Sequence, residues 1–292
     1  MTRMTRPRRS VLYMPGSNPR AMDKARSLPT DSVILDLEDA VAPDQKDFAR
    51  AQVVETVRAG GFGKREVVIR VNGLDTPHAR ADIAAAAQAG AHAILVPKID
   101  SAAEVMQASG MMAEAGAPAD LALWAMIETP GGIFNLREIA GAGGRLSVLV
   151  MGTNDLVKEM HGQHVPDRAP LVPLLSFAVL AARGAGLSII DGVYNDIQNE
   201  DGFLAVCRQG RAIGFDGKTL IHPSQIRSSN MVFSPAADEV AEARKVISAF
   251  ELPENKGKGA IKVDGKMVEL LHAEIARRLV HLADAIAALE TP

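Results

Sequence analysis

The sequence is short of cysteine and of aromatic residues, and it has no excess of charge of one sign. Cys207 is the only cysteine in 292 residues, which excludes a scaffold held together by internal disulfides. Aromatic residues make up 4% of the chain, so the core must be built mainly from aliphatic side chains. The 32 basic and 35 acidic residues give a net charge of −3, which argues against a general nucleic-acid-binding protein.

Long hydrophobic runs are also missing. No apolar run reaches the roughly 18 residues that a membrane span requires. Several arginines stand near the amino end, as in a signal peptide, but the apolar stretch that follows covers only residues 11–14 before Pro15. The sequence therefore predicts a soluble cytoplasmic protein with no nucleic-acid or membrane partner.

Eight short aliphatic runs alternate with longer alanine-rich stretches. Runs of this length, bounded by glycine and proline, are typical of strands buried on both faces of a parallel sheet. The predicted strands cover residues 10–14, 32–37, 66–71, 93–96, 121–127, 147–151, 187–193 and 215–221. Helices are predicted over 48–59, 79–89, 102–115 and 171–185. Repeated strand–helix units of this kind predict an α/β fold.

The spacing of polar residues at the predicted strand ends favours a TIM barrel. These residues follow one another at intervals of 27 to 36 positions, the length of a strand, a helix and two loops. They are Asp36, Arg70, Lys98, Glu128, Asp155, Asp191 and Lys218. Eight such units suit a (β/α)8 barrel better than a doubly wound sheet, and no dinucleotide-binding glycine motif follows the first strand. We therefore expect a TIM barrel catalytic domain over residues 1–228.

The last part of the chain breaks this rhythm. Helices are predicted over 236–250 and 267–289, with a short strand over 260–263 between glycine-containing turns. Apolar residues recur at helical spacing in the last helix, so one of its faces is expected to pack on another surface, which a solubilising tail would not do. We expect residues 229–292 to form a small C-terminal lid and oligomerisation subdomain.

Two acidic residues that follow neighbouring predicted strands are candidates for a metal site. Active sites of TIM barrels lie at the carboxyl ends of the strands, so Glu128 and Asp155 should converge at the barrel mouth. Two carboxylates, together with waters and a chelating substrate, suit Mg²⁺, which prefers oxygen ligands. Taken singly, each residue is also explained as a cap or a first-turn charge of the following helix.

Arg70 ends a predicted strand whose neighbouring residues are apolar, so its guanidinium is expected to point into the barrel mouth. There it would either form a structural ion pair with the acidic DLED segment at residues 36–39 or stabilise a developing oxyanion. Lys98, at the next strand end, is a candidate for electrostatic or ion-pair support rather than for a Schiff base.

Other chemistries find little support in the sequence. His161 and His164 have the i, i+3 spacing of a metal-binding pair, but Gly162 and Pro166 disrupt a helix there. No GxSxG motif is present, so a serine hydrolase is not indicated. Cys207 falls in a predicted helix and is interpreted as a small buried side chain.

Eight strings, taken in order, resemble the citrate lyase β-subunit and malyl-CoA lyase family. They are RRSVLYMPGSNPRAMDKA, DLEDAVAPDQK, VVIRVNG, LVPKID, IETPGGI, MGTNDL, DGVYNDI and KTLIHPSQI. The resemblance runs from about Arg8 to Ile226 and is weaker beyond. It implies a TIM barrel that cleaves or forms a carbon–carbon bond in a 3-hydroxyacyl-CoA thioester with Mg²⁺, which Mn²⁺ can replace.

The resemblance also implies roles for single residues. Glu128 and Asp155 match the metal ligands, and Arg70 matches the catalytic arginine. Glu38 and Asp39 match an acidic pair near the metal-bound waters. The candidates for binding the substrate and its CoA moiety are Tyr13, Arg20, Lys24 and Lys98.

The tail resembles that of malyl-CoA lyases, whose C-terminal lid covers a neighbouring subunit's site and contributes an aspartate. Asp264, in AIKVDGKMV, has a similar sequence context, although an Asp-Gly pair is also a strong hairpin signal. A shared lid implies a homo-oligomer, either a trimer or a hexamer. It also favours a free CoA thioester as substrate over a carrier-protein thioester.

Alternatives stay open for the reaction. The expected one is cleavage of a malyl-CoA, methylmalyl-CoA or citramalyl-CoA type of thioester to glyoxylate or pyruvate plus acetyl-CoA or propionyl-CoA. One alternative is a (3S)-malyl-CoA thioesterase that uses the same site, and another is a citrate lyase β-subunit that acts on an acyl-carrier-protein thioester. A single methyl group is selected by pocket shape, so the motifs do not choose among these thioesters.

Overall fold

The eight predicted strands form a closed parallel barrel in the computed structural model, which describes residues 6–291. Each strand pairs with the next along the chain, and β8 closes the barrel by pairing with β1, where Ser10 lies opposite Lys218. The strands are β1 Ser10–Pro15, β2 Ser32–Asp36, β3 Glu66–Arg70, β4 Ala93–Val96, β5 Ala122–Ile127, β6 Leu146–Met151, β7 Ser188–Asp191 and β8 Gly217–Leu220. The predicted TIM barrel is therefore confirmed.

Helices follow the strands, as the strand–helix alternation predicts. They are α1 Pro19–Ala25, α2 Lys46–Ala59, α3 Ala79–Ala87, α4 Ala102–Glu114, α5 Pro130–Phe134, α6 Leu136–Gly141, α7 Thr153–Glu159, α8 Val172–Gly184, α9 Glu200–Ile213 and α10 Gln225–Phe233. Caps fix some of these helix starts: Ser101 and Glu104 form a reciprocal capping box at the start of α4. Within residues 6–291, no helix is long and apolar enough to cross a membrane.

Alternation along the strands separates two apolar layers. On β3, Val68 belongs to a cluster that fills the barrel interior, whereas Val67 and Ile69 pack in the layer shared with the helices. Both faces of the strands are thus buried, which explains why the strands appear in the sequence as continuous aliphatic runs. Trp124, which is fully buried, is the largest side chain of the inner cluster.

The chain divides into two compact units, and the barrel unit is Arg8–Phe233. The predicted domain boundary, after residue 228, falls inside α10. Val232 and Phe233, near the end of that helix, are buried in the layer between the barrel and its helices, so the barrel unit continues to the end of α10.

The second unit contains α11, a two-stranded antiparallel hairpin and α12, within the described residues 234–291. These elements are α11 Ala237–Glu251, β9 Ala260–Val263, β10 Lys266–Glu269 and α12 Leu270–Glu290. A small apolar core of its own includes Phe250, Ile261 and Ala273. The predicted start of the last helix at Met267 is wrong, because the turn at Asp264 and Gly265 returns the chain as a second strand.

Candidate active site

Arg70 and Asp36 form the central ion pair at the barrel mouth, and strand register brings them together. They are the last residues of β3 and β2 and lie directly opposite each other in the parallel pairing. The guanidinium donates from Nε to Asp36 Oδ1 at 2.6 Å and from Nη2 to Asp36 Oδ2 at 2.7 Å. Both side chains are buried, so this two-pronged contact fixes the plane of the guanidinium.

The remaining edge of Arg70 faces two further carboxylates and an aromatic ring. Nη1 lies 2.6 Å from Glu38 Oε2 and 3.5 Å from Asp39 Oδ2, and the guanidinium carbon is 4.9 Å from the centre of the Tyr13 ring. Burial alone would lower the pKa of Arg70, but Asp36, Tyr13 and Glu38 outweigh that effect and leave the pKa raised. Arg70 is therefore a permanent cation held among three acidic groups.

Lys98 links this cluster to the next strands. Its ammonium donates to Glu38 Oε1 at 2.9 Å, and its backbone N–H donates to Glu128 Oε1 at 3.0 Å. Burial lowers the pKa of Lys98, but the hydrogen bond to Glu38 and that residue's charge raise it overall. A charged, hydrogen-bonded ammonium agrees with the predicted ion-pair support and not with a Schiff-base lysine.

Glu128 lies immediately after β5 and is 2% exposed. Burial, together with the charges of Glu38 and Asp155, raises the pKa of Glu128 to about 8, and the charges of Arg70 and Lys98 offset this only in part. Asp155 stands in the first turn of α7 and is partly exposed, with the ammonium of Lys158 4.0 Å away. The two predicted metal-binding residues therefore lie near enough for each charge to act on the other.

The structure offers a place for a hard cation at these two carboxylates. The pKa of Glu128 is raised by burial first and by neighbouring carboxylates second, so its ionised form lacks compensating positive charge, which a bound cation would supply. Glu38 Oε2 faces Arg70 off the direction of an N–H bond, and among the described residues it has no hydrogen-bond donor. No group of three or more acidic, histidine or cysteine side chains is placed to hold a metal within residues 6–291. Two carboxylates, with waters as the remaining ligands, suit Mg²⁺, which is commonly held by one or two protein carboxylates.

Close backbone approach shapes the site between β5 and α7. Gly152 directly follows β6 and is the N-cap residue of α7. It packs so tightly against Glu128 that a β-carbon at position 152 would overlap the Glu128 side chain. Only glycine leaves room for Glu128 to lie beside the start of α7, the helix that carries Asp155.

The other predicted site residues are distributed differently. Tyr13 is half-buried and stacks on Arg70, whereas Arg20 and Lys24 are exposed, one turn apart, on α1. Asp39 is 62% exposed beside Arg70. Asp264 belongs to the second unit, where its hydrogen bond from Lys245 at 2.9 Å and the Lys245 charge lower the pKa of its carboxyl.

A buried network joins the end of β7 to β8, and the sequence assigns no role to it. Lys218 and Asp191, both fully buried, form an ion pair at 3.0 Å, and Arg168 contacts both oxygens of Asp191. Both residues stand at predicted strand ends, but their side chains point into the helix layer and not into the mouth, which strand alternation predicts when counted from Ile190. Cys207 is buried as predicted, and burial raises the pKa of its thiol to about 12.

Known proteins are similar to this chain along most of its length. A family model described as HpcH/HpaI aldolase/citrate lyase matches residues 9–223. A (3S)-malyl-CoA thioesterase of Cereibacter sphaeroides is 49% identical over 288 residues, which cover 99% of each chain. The citrate lyase subunit beta of Escherichia coli is 35% identical over 272 residues, 91% of this chain and 90% of that one.

A solved structure gives the same fold with ligands. The CitE protein of Mycobacterium tuberculosis, in complex with magnesium, acetoacetate and coenzyme A, aligns with a TM-score of 0.73 and 31% identity. The alignment covers 94% of this chain and 97% of that one. Of the reactions left open by the sequence, the thioesterase is supported better by these similarities than carbon–carbon cleavage, because the more similar relatives carry that name.

Proposed function

Because this chain belongs to the HpcH/HpaI aldolase/citrate lyase family, we propose that it hydrolyses the thioester of a malyl-CoA-type substrate with the help of magnesium. The observation that carries the proposal is the barrel mouth itself. Buried Arg70, fixed by Asp36, stands in one group of ion pairs and hydrogen bonds with Glu38, Lys98 and Glu128. The similarity to a malyl-CoA thioesterase along 99% of both chains supports the choice of substrate and reaction.

Glu128 and Asp155 are the residues that would hold the magnesium ion. When bound, the ion would supply a Lewis acid that polarises substrate oxygens. Glu38 and Asp39 lie on the same side of the mouth and would orient waters there by accepting their hydrogen bonds.

Arg70 is the group that would stabilise negative charge on the thioester oxygen when water attacks the carbonyl carbon. Asp36 and the Tyr13 ring hold its guanidinium in place before the reaction, so little reorganisation is needed as the charge develops. Asp39, which is exposed beside Arg70, is the carboxylate that would accept the proton of the attacking water. The exposed cations Arg20 and Lys24 suit the phosphates of CoA.

Carbon–carbon cleavage is the second candidate, and the similarity to citrate lyase beta subunits favours it. In that reaction Arg70 would stabilise the enolate of acetyl-CoA or propionyl-CoA, with glyoxylate or pyruvate as the other product. Asp264 from a neighbouring subunit would give a proton to the enolate carbon after cleavage and, in the reverse condensation, would remove that proton as the base. If the protein acts instead as a citrate lyase β-subunit, its substrate would be a thioester of an acyl carrier protein and not of free CoA.

We further propose that the chain acts as a homo-oligomer, a trimer or a hexamer, in which residues 229–292 act as a lid on a neighbouring subunit. Apolar side chains that lie exposed on β10 and α12 support this. They are Met267, Leu270, Leu271 and Ile275, between 49% and 76% exposed. Exposed apolar side chains at this density are typical of a surface that a partner covers.

The test follows two products at once. Purified protein is incubated with Mg²⁺ and, in turn, malyl-CoA, methylmalyl-CoA and citramalyl-CoA, while free thiol and 2-oxoacid are measured separately. Hydrolysis releases one thiol per substrate and no 2-oxoacid, and cleavage releases 2-oxoacid without thiol. Release of 2-oxoacid alone would contradict the thioesterase and favour the second candidate. Inactivity on every free CoA thioester would favour a carrier-protein substrate.

A further inference from the structure

Lys98 has a backbone conformation that side chains of its type rarely adopt. Four described residues other than glycine have a positive φ, and Lys98, at 52°, is the one that contacts Glu128. The left-handed region costs free energy in any residue with a β-carbon, and lysine has no short polar side chain to compensate locally. Strain of this kind at a candidate site is kept only where the surrounding structure requires it.

The conformation lets one residue hold two carboxylates. The N–H of Lys98 is bound to Glu128 Oε1 at 3.0 Å, and its ammonium reaches Glu38 Oε1 at 2.9 Å. The φ angle is the rotation about the N–Cα bond. Because the N–H of Lys98 is held by Glu128, the φ angle of Lys98 determines the direction of its side chain. At 52° the side chain points to Glu38, which is buried at the start of the loop after β2.

The bond from Lys98 also leaves the two oxygens of Glu128 in different surroundings. Oε1 accepts the Lys98 N–H, whereas Oε2 lies against Gly152 at the start of α7. Asp155 is in the first turn of that helix. Occupying Oε1 therefore leaves Oε2 as the oxygen on the side of the second carboxylate.

We propose that Lys98 is a positioning residue whose left-handed backbone orients Glu128, so that Oε2 and not Oε1 is offered to the metal, while its ammonium fixes Glu38. This inference rests on the metal role of Glu128 in the proposed function. This role explains why a lysine occupies a position where glycine would relieve the strain. Glycine would remove the ammonium that contacts Glu38 and would hold the N–H less firmly on Glu128.

Three substitutions of Lys98 separate the effect of its backbone conformation from the effect of its side-chain charge. Lys98→Arg keeps the charge, Lys98→Asn loses the charge but tolerates positive φ, and Lys98→Val loses the charge and strongly disfavours positive φ. The direct readout is Mn²⁺ binding by isothermal titration without substrate, alongside kcat and KM for the CoA thioester. We expect Lys98→Arg to bind Mn²⁺ nearly as wild type does and Lys98→Asn to bind it severalfold more weakly. Lys98→Val should bind about 10- to 100-fold more weakly than wild type.

His161→Val is the matched control. His161 has the same φ of 52°, is exposed and lies after α7, so this change imposes the same backbone strain away from Glu128. It should lower the melting temperature and leave Mn²⁺ affinity within about twofold of wild type. If Lys98→Val does not fold, Lys98→Ala replaces it, since a single β-carbon also disfavours this conformation.

Each outcome decides a different point. Equal Mn²⁺ affinity in Lys98→Asn and Lys98→Val would overturn the backbone role, and wild-type affinity in both would overturn the whole inference. Graded losses in the order Arg, Asn, Val support it. A wild-type protein that binds neither Mn²⁺ nor Mg²⁺ would contradict the proposed function itself, independently of Lys98.

Discussion

At the scale of single residues, the site depends on a cation that contacts acidic groups on several sides. Arg70 uses Nε and Nη2 on Asp36 and turns Nη1 toward Glu38 and Asp39. A lysine has one ammonium on a flexible stem and cannot make this planar set of contacts. The shape of the guanidinium, more than its charge, therefore decides how the mouth is arranged.

Arg70→Lys is expected to lower kcat by roughly 100-fold or more while changing KM less, because the lost contacts act mainly on charge that develops in the transition state. Steady-state kinetics with the CoA thioester checks this. Arg80→Lys is the control, since Arg80 pairs with Glu114 on the surface and its side chain is 71% exposed. A kcat within a few-fold of wild type in Arg70→Lys would rule out the proposed role.

Glu128 gives a prediction about pH. Its pKa in the fold is about 8, above the ordinary value of 4.5, so its contribution to stability is full below about pH 4.5 and is lost as the pH rises through about 8. Glu128→Gln removes this loss. In metal-free protein, the free energy of unfolding of the variant relative to wild type should rise by roughly 1 to 3 kcal/mol when the pH is raised from 5 to 8.5.

Urea unfolding in the presence of a chelator, at both pH values, measures the effect. Glu114→Gln, at a largely exposed side chain, should show no such change between the two conditions. A difference between Glu128→Gln and wild type that stays constant with pH would contradict the raised pKa.

At the scale of elements, the junction of β6 and α7 determines how close the two candidate metal-binding carboxylates can lie. Gly152 has a φ of −95°, which any residue adopts, so the requirement for glycine there is one of space and not of backbone freedom. Gly152→Ala should push Glu128 aside, reduce Mn²⁺ affinity at least about tenfold and cost roughly 1–3 kcal/mol of stability.

Gly110→Ala is the matched control for this change. Gly110 lies inside α4 with open space around its α-carbon, so alanine should stabilise the protein by roughly 0.5–1 kcal/mol and leave metal binding unchanged. Titration of Mn²⁺ and thermal unfolding of both variants test the pair. Equal metal affinity in Gly152→Ala and wild type would show that Glu128 has room to move.

The sequence predicts elements better than it predicts the geometry between them. All eight strands were identifiable because aliphatic runs stop at glycine, proline or a charged residue, and their order brings Arg70 and Glu128 to one end of the barrel. The left-handed backbone of Lys98 cannot be identified from the sequence, because it depends on hydrogen bonds to residues 30 and 60 positions away. The sequence context of Tyr13 predicts a contact with CoA, and its position on β1 also brings its ring onto Arg70, a contact between strands that the sequence alone does not reveal.

At the scale of the whole molecule, the barrel and the second unit carry different parts of the proposed chemistry. Arg70 belongs to the barrel unit and Asp264 to the other, where it occupies the turn between β9 and β10 with a φ of 47°. Asp264 is 63% exposed, and its ion pair with Lys245 lowers the pKa of its carboxyl, which favours the carboxylate form. An exposed turn of this kind suits a residue that acts on another copy of the chain.

A complementation experiment tests this arrangement. If the protein cleaves a carbon–carbon bond, as in the second candidate function, Arg70→Ala and Asp264→Asn are each expected to abolish release of 2-oxoacid, and the two differently tagged chains are then co-expressed and purified as mixed oligomers. If Asp264 serves a neighbour, a chain with an intact barrel receives an intact lid from its partner, and roughly a quarter to a third of the wild-type activity returns in the mixed oligomers. If Asp264 acts within its own chain, every site has one defect and no activity returns. An Asp264→Asn protein that releases thiol at the wild-type rate would confine this residue to carbon–carbon cleavage, because hydrolysis forms no enolate that needs its proton.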